Sequence, residues 1–287
     1  MIIAFAGLGN MGGPMAANLA AAGHAVRGFD PRAELPTGVT RAPSIAGACD
    51  GAEVLVTMLP NGDVLRAVAD EAIPALARGA TFLDCSTTDV AAARDTDGRA
   101  RDAGLAFLDA PVSGGATGAA AGTLTFMAGG AAEALEAVRP LLDVMGARVV
   151  HCGGAGTGQA AKICNNMILG TTMAVTCEAF ALADRLGLDR ATLYDVASTS
   201  SGQSWALTTY CPAPGVGPRS PADDDYRPGF AAEMMVKDMG LARDAARTAG
   251  APVPVALEAL RQYVEFVESG GRGRDFSALL TRGGADE

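Results

Sequence analysis

The chain has 287 residues, 49% hydrophobic and 19% charged, and carries a net charge of −10. That is enough for one large or two ordinary domains with a sizeable core, and the acidic balance excludes nucleic acid or an anionic membrane as the main partner. Six scattered cysteines (Cys49, Cys85, Cys152, Cys164, Cys177 and Cys211) show no C-x-x-C spacing and read as reduced core residues of a cytoplasmic protein. Met1 to Phe5 runs straight into a glycine motif without a basic region, so no signal peptide is expected. Lys162, Asn165-Asn166 and Thr171-Thr172 interrupt the long apolar stretch, so no membrane span is expected either.

The first predicted strand, Ile2–Ala6, is followed by Gly7-Leu8-Gly9-Asn10-Met11-Gly12, a G-x-G-x-x-G that opens a predicted helix over 10–22. In this setting Gly7 makes the tight turn, Gly9 lets a pyrophosphate approach the backbone, and Gly12 allows close helix–strand packing. The free N–H groups and positive end of the helix dipole suit the phosphates. The next strand, 25–29, ends at Asp30, where an acid accepts from an adenine ribose hydroxyl and repels a 2′-phosphate. That favours NAD; Arg32 nearby is a residue type that accommodates the NADP phosphate.

The β–α alternation continues with strands at 54–58, 81–84, 105–110, 123–128 and 148–152, and helices after Asn61, after Thr88 and over 133–145. The loops Met58–Asn61 and Cys85–Thr88 follow strand ends, where ligands bind in open parallel sheets. Thr88 suits a helix cap, and Ser113-Gly114-Gly115 is either an anion-holding nest or a plain glycine turn. The pattern is that of a doubly wound α/β Rossmann domain over 1–155, then an all-α domain over 156–287, joined by a long helix.

That helix, 156–187, has apolar residues on nearly every face and is expected to be buried. Lys162 is the one formal charge between Arg148 and Glu178, and Asn166 follows one turn later. Two readings stand: a lysine whose ammonium snorkels to water, and a buried amine whose pKa falls toward working pH and which moves a proton. Beyond it, Asp189 suits a helix cap and Cys211–Gly229 reads as an irregular loop. Its Asp223-Asp224-Asp225 reads as a solvated run, since no other metal-ligand residue is near. Helices are predicted over 230–249 and 254–269, with Lys237-Asp238 on the polar face of the first. His24 and His151 form no catalytic set, so the reaction must come from the cofactor: a nicotinamide moves hydride, and the protein orients substrate and handles one proton.

The motifs G-L-G-N-M-G at Gly7–Gly12, D-A-P-V-S-G-G at Asp109–Gly115 and G-Q-A-A-K-I-C-N-N at Gly158–Asn166 resemble, in order and spacing, those of the β-hydroxyacid dehydrogenases. The stretch from Trp205 to Asp238 is similar to the 3-hydroxyisobutyrate dehydrogenases within that family. The resemblance implies Lys162 as catalytic acid/base, and Ser113, Gly114, Gly115, Asn166, Trp205, Phe230 and Lys237 as substrate-binding. It implies Gly7, Leu8, Gly9, Asn10, Met11, Gly12, Asp30, Leu59, Pro60, Thr87 and Lys237 as cofactor-binding, with NAD as cofactor and no metal. It further implies a small hydroxy acid substrate, oxidation of 3-hydroxyisobutyrate to methylmalonate semialdehyde in valine breakdown, and a homodimer or homotetramer. A tartronate or succinic semialdehyde reductase is the alternative within the family. A non-catalytic dinucleotide-binding scaffold and an imine reductase are alternatives outside that chemistry, and the isolated charge of Lys162 argues against both.

Overall fold

Apolar strands alternating with helices form a nine-stranded sheet in a computed structural model that describes residues 1–283. The order is β1 (Ile2–Ala6), α1 (Gly12–Ala21), β2 (Ala25–Phe29), β3 (Thr40–Arg41), α2 (Ile45–Cys49), β4 (Val54–Thr57), α3 (Gly62–Ala72) and β5 (Thr81–Asp84). Then come α4 (Val90–Asp102), β6 (Ala106–Asp109), β7 (Val112–Ser113), α5 (Gly115–Ala121), β8 (Leu124–Gly130), α6 (Ala132–Met145) and β9 (Gly146–Gly153). The sheet order is β3-β2-β1-β4-β5-β6-β8-β7, with β9 beside β8. The pairings from β3 through β6 are parallel, and β8 runs antiparallel to β6. β1 lies between β2 and β4, so successive connections leave in opposite directions there, the switch point at which such sheets take ligands. Both sheet faces are covered. Phe5, Met15, Leu19 and Phe126 share one apolar cluster, and Leu55, Leu65 and Phe82 share the other.

The chain divides into two compact units, Met1–Lys162 and Ile163–Glu287. The division falls inside the long helix α7 (Thr157–Arg185), not at its start, because the first turn of α7 is hydrogen-bonded to the end of β6. Among the described residues the second unit holds the rest of α7, then α8 (Arg190–Ser198), α9 (Trp205–Thr208), α10 (Ala232–Ala249) and α11 (Pro254–Phe266). Its core gathers Met173, Cys177, Met235, Tyr263 and Phe276.

Several local expectations hold for stated reasons. Asn61 and Asp189 cap α3 and α8 by accepting from Val64 N–H and Thr192 N–H, each at 3.0 Å. Others need correction. Asp89, not Thr88, caps α4, accepting from Ala92 N–H at 2.7 Å. The glycine turn expected after Ser113 continues into α5, whose alanines favour a helix and which Gly122 ends in the left-handed conformation, φ 65°. α7 is not buried all round. Met173, Ala174, Cys177 and Phe180 pack inward, while Ile168 (62%), Val175 (56%) and Leu182 (59%) face outward at seven-residue spacing, and Leu186 (74%), just past the helix end, is exposed as well. α7 also has the length and hydropathy of a membrane span, contrary to expectation, but its inner face is part of a protein core.

Asp275 ties the second unit together. Its Oδ1 accepts from Ser277 N–H (3.0 Å) and Oγ–H (2.7 Å), and its Oδ2 accepts from Tyr210 O–H (2.9 Å), Gly229 N–H (2.9 Å) and Phe230 N–H (3.0 Å). Asp275→Ala leaves five donors without their acceptor and should lower unfolding stability by about 3 kcal/mol or more. Trp205, the only tryptophan, stacks on Tyr210 at 5.0 Å, so urea unfolding followed by its fluorescence reads this directly.

Candidate functional site

The glycine motif turns between β1 and α1 as its spacing requires. Gly7 has φ 90°, and a Cβ there would meet Met58 O at 2.2 Å. A Cβ on Gly12 would meet Gly7 O at 1.9 Å, so the helix packs on the turn only because side chains are missing. Gly9 differs: a Cβ there would meet nothing within 4 Å. The open face of Gly9, at a helix N-terminus, is the cradle that a pyrophosphate needs. A cavity of about 640 Å³ adjoins it, lined by Leu8, Gly9, Asn10, Pro14, Ala33 and Leu35 among others. The group implied by the motif therefore fits.

Asp30 closes this side. Its Oδ2 accepts from Leu8 N–H, and its Oδ1 from Arg32 and Ala33 N–H, each at 2.8 Å. Partial burial would raise its pKa, but these three N–H donors and the Arg32 charge outweigh that and hold the carboxyl below the usual range. It is thus a firmly negative, fixed group beside the glycine loop. Met11 is half-buried, and of the remaining expected cofactor residues Leu59 and Thr87 are half-buried and Pro60 exposed.

At the ends of β4, β5 and β6 lies a buried polar cluster that sequence reading did not single out. Asp84 Oδ1 accepts from Thr57 Oγ–H (2.7 Å), Ser86 Oγ–H (2.5 Å) and Ser86 N–H (3.1 Å). Asp109, directly opposite Asp84 in the β5–β6 register, accepts from Gly156 N–H (2.7 Å) and Gln159 N–H (2.8 Å). Gln159 is fully buried; its Nε2–H donates to Ser86 O at 2.8 Å and its Oε1 accepts from Thr88 N–H at 3.0 Å. Burial pushes Asp84 up to about 6. Burial also pushes Asp109 up to about 7, helped by the Asp84 charge and opposed by the Gly156 and Gln159 N–H groups. Asp109 and Gln159 stand inside motifs already noted, D-A-P-V-S-G-G and G-Q-A-A-K, but strand register and helix docking, not spacing, reveal what they hold.

Lys162, one turn beyond Gln159 on α7, is 8% exposed. Lysine is rarely buried in proteins, since an ammonium is costly to remove from water, so the position is informative. Ser113 is half-buried, and Gly114 (φ 134°) and Gly115 (φ 63°) are exposed, with backbone conformations that suit glycine.

In the second unit Asn166, 2% exposed, donates from Nδ2 to Asp238 Oδ2 at 2.5 Å. Asp238 Oδ1 has no aligned hydrogen-bond donor and lies 3.1 Å from Lys237 Nζ. Asp238 is 4% exposed, so the expected polar face of α10 does not include it; the helix turns this carboxylate inward to hold the Asn166 amide. Trp205 is 49% exposed, and Phe230 is half-buried with an edge-on contact to Phe276 at 5.6 Å. His151 Nε2–H donates to Gly130 O (2.9 Å) and joins none of these groups, and no cluster of metal-ligating residues occurs among the described residues. Asp223, in the acidic run, accepts from Gly215 and Ser220 N–H groups as a loop tie.

Residues 2–154 match a family model described as the NAD binding domain of 6-phosphogluconate dehydrogenase. Residues 156–282 match one described as NAD-binding of NADP-dependent 3-hydroxyisobutyrate dehydrogenase. A probable 3-hydroxyisobutyrate dehydrogenase of Mycobacterium tuberculosis is 46% identical, covering 97% of this chain and 96% of its own. An NAD-dependent L-serine dehydrogenase of Pseudomonas aeruginosa is 44% identical, covering 96% of each chain. A solved structure of the M. tuberculosis 3-hydroxyisobutyrate dehydrogenase with L-serine superposes with a TM-score of 0.94 at 45% identity, over 99% of both chains.

The cluster makes its own prediction. Asp84 carries a native pKa of about 6 against an ordinary 3.8, so its contribution to stability is complete below about pH 4 and is lost as pH rises through 6. Asp84→Asn keeps an acceptor for Thr57 and Ser86 but cannot ionise. Its unfolding free energy should gain on the wild type by about 3 kcal/mol between pH 4 and pH 8, measured by denaturant unfolding across that range.

Proposed function

Since the chain belongs to the β-hydroxyacid dehydrogenase family, among its 3-hydroxyisobutyrate dehydrogenases, and is an NAD-dependent oxidoreductase, we propose that it oxidises 3-hydroxyisobutyrate to methylmalonate semialdehyde, as a step of valine breakdown. The observation that carries the mechanism is Lys162, buried at 8% exposure, with Asn166 one turn further along the same helix. Bound NAD supplies the acceptor for the hydride that leaves the hydroxyl-bearing carbon. Lys162 Nζ takes the hydroxyl proton as that carbon becomes a carbonyl, and returns it in the reverse direction. The Asn166 side chain, held by Asp238, is fixed to orient the same hydroxyl. The N–H groups of the Ser113–Gly115 turn and the Ser113 hydroxyl receive the substrate carboxylate. In the second unit Trp205, Phe230 and Lys237 are assigned substrate-binding roles, Lys237 with a further contact to the cofactor.

On the cofactor side Gly7, Leu8, Gly9, Asn10, Met11 and Gly12 hold the pyrophosphate, and Leu59, Pro60 and Thr87 are assigned further contacts to the cofactor. Asp30, fixed and negative, accepts from a ribose hydroxyl and disfavours a 2′-phosphate, which supports NAD over NADP. A second substrate, L-serine, is favoured by the relatives that name it. L-Serine is also a 3-hydroxy acid and differs by an amino group where 3-hydroxyisobutyrate has a methyl. Which of the two the pocket prefers is then a question of whether a polar group meets that substituent. Six free cysteines support a reducing, cytoplasmic setting.

Rates with NAD on both acids test this. The reading expects turnover of 3-hydroxyisobutyrate with kcat/KM at least tenfold above L-serine. The reverse order moves the substrate and keeps the mechanism. Lys162→Met should lower kcat by about 10²–10⁴-fold, the usual worth of general acid–base catalysis, while NAD still binds. Unchanged turnover in that variant would overturn the lysine assignment.

We also propose a homodimer or homotetramer, supported by the outward apolar stripe Ile168, Val175, Leu182 and Leu186. Sedimentation should show a mass of at least twice 28.8 kDa for the wild type, and Val175→Lys should shift it toward the monomer.

A further inference from the structure

One hydrogen-bonded frame links Leu59, the loop that carries Thr87 and the first turn of α7, three residues before Lys162. Leu59 N–H donates to Ser86 Oγ at 2.8 Å. The Ser86 carbonyl accepts from Gln159 Nε2 at 2.8 Å, and Thr88 N–H donates to Gln159 Oε1 at 3.0 Å, so the Gln159 amide clasps the peptides on both sides of Thr87. Its orientation is fixed, because a peptide N–H can only donate and a carbonyl can only accept. The Gln159 backbone N–H is in turn held by Asp109 at 2.8 Å. Lys162 follows three residues later, on the same side of the helix.

The fit leaves little room for adjustment. A Cβ on Gly158 would meet Met127 O at 2.2 Å and Asp109 O at 2.5 Å, and one on Gly129 would meet Gly158 N at 2.6 Å. The first turn of α7 is therefore seated against β6 and β8 by backbone-to-backbone contact, and Gln159 carries that fixed position across to the loop that holds Thr87.

We propose that Gln159 is a positioning residue for hydride and proton transfer, locking the Thr87 loop and the Lys162 turn at one separation, with Asp109 anchoring the turn from beneath. It touches neither substrate nor cofactor; it acts through Thr87 and Lys162. The inference rests on the reading of Lys162 as acid/base. Gly9 and Asp30, which hold the other end of the cofactor, are outside this frame, so cofactor affinity and turnover should separate when it is broken.

The test uses the full chain with NAD and whichever of 3-hydroxyisobutyrate and L-serine the wild type turns over. Gln159→Met keeps length and burial and removes both hydrogen bonds. It should lower kcat by tenfold or more, change the NAD dissociation constant and the substrate KM by less than threefold, and raise the primary deuterium isotope effect with substrate deuterated at C3, as hydride transfer becomes limiting. Gln159→Asn, which keeps the amide on an arm too short to reach both peptides, should give the same pattern more mildly, and it carries the test if the methionine variant does not fold. A kcat within twofold of wild type, with an unchanged isotope effect in the folded variants, overturns the proposal. So does a loss confined to NAD affinity. Lys162→Ala in parallel separates the two failures: if it is inactive while the Gln159 variants are not, only the positioning role falls, and if it is fully active, the lysine reading itself falls.

Discussion

The Asp109 carboxylate is the constraint on which the rest depends. It is fully buried, and it accepts from two of the N–H groups that the start of α7 cannot satisfy within the helix. A negative group at a helix N-terminus also complements the dipole. Burial still raises its pKa to about 7, so desolvation outweighs those two bonds and the site carries a carboxyl poised near neutrality. A cap exposed to water would satisfy the same N–H groups without that cost, but it would not fix a 29-residue helix to the end of a particular strand. What the buried arrangement gains is a defined seat for the turn that bears Gln159 and, three residues on, Lys162.

That seat explains why the chain's glycines fall where they do. Gly129 and Gly158 stand on either side of the Asp109 contact and have no room for a Cβ, whereas Gly9 has room and nothing in it. The first pair serve packing, and the second leaves space for a ligand. The same residue type thus serves close packing at one place and an open face at another, and only the contacts around each Cβ position tell them apart.

The fold was largely legible from the sequence because its signals are local. The Ile2–Ala6 run, the glycine spacing, Asp30 at the end of β2 and the capping residues Asn61 and Asp189 each act within a few residues of their partners. Illegible features need distant ones. Asp109 and Gln159 are 50 residues apart, Asn166 and Asp238 are 72 apart, and neither pair has a periodicity that announces it. Asp238 sits beside Lys237 in a stretch with the composition of a solvated face, yet it is the lysine that is half-exposed and the carboxylate that is buried. α5 was hidden for a different reason: two glycines begin it, and glycine weighs against a helix unless the alanines that follow are counted. The apolar composition of α7 is plain in the sequence, but composition alone does not distinguish a face packed inside its own unit from one left exposed.

The turn that bears Lys162 and the side chain of Asn166 are each fixed by hydrogen bonds from distant residues, which bears on the roles proposed for them. Asn166 is gripped at its side chain: Nδ2 donates to Asp238, and Oδ1 accepts from Asn165 at 3.0 Å. An amide that only orients a hydroxyl keeps one charge state throughout, so a direct clamp on its atoms costs it nothing in function. A proton carrier is different. In the proposed role Lys162 takes up a proton and gives it back, so the turn that bears it has to hold one position in both charge states. Gln159 and Asp109 fix that turn through hydrogen bonds whose atoms do not include the amine that is proposed to carry the proton. Under that proposal the turn that bears the acid/base residue is fixed from Asp109 and Gln159, and the neighbouring amide is fixed from Asp238, so neither position shifts as the proton moves.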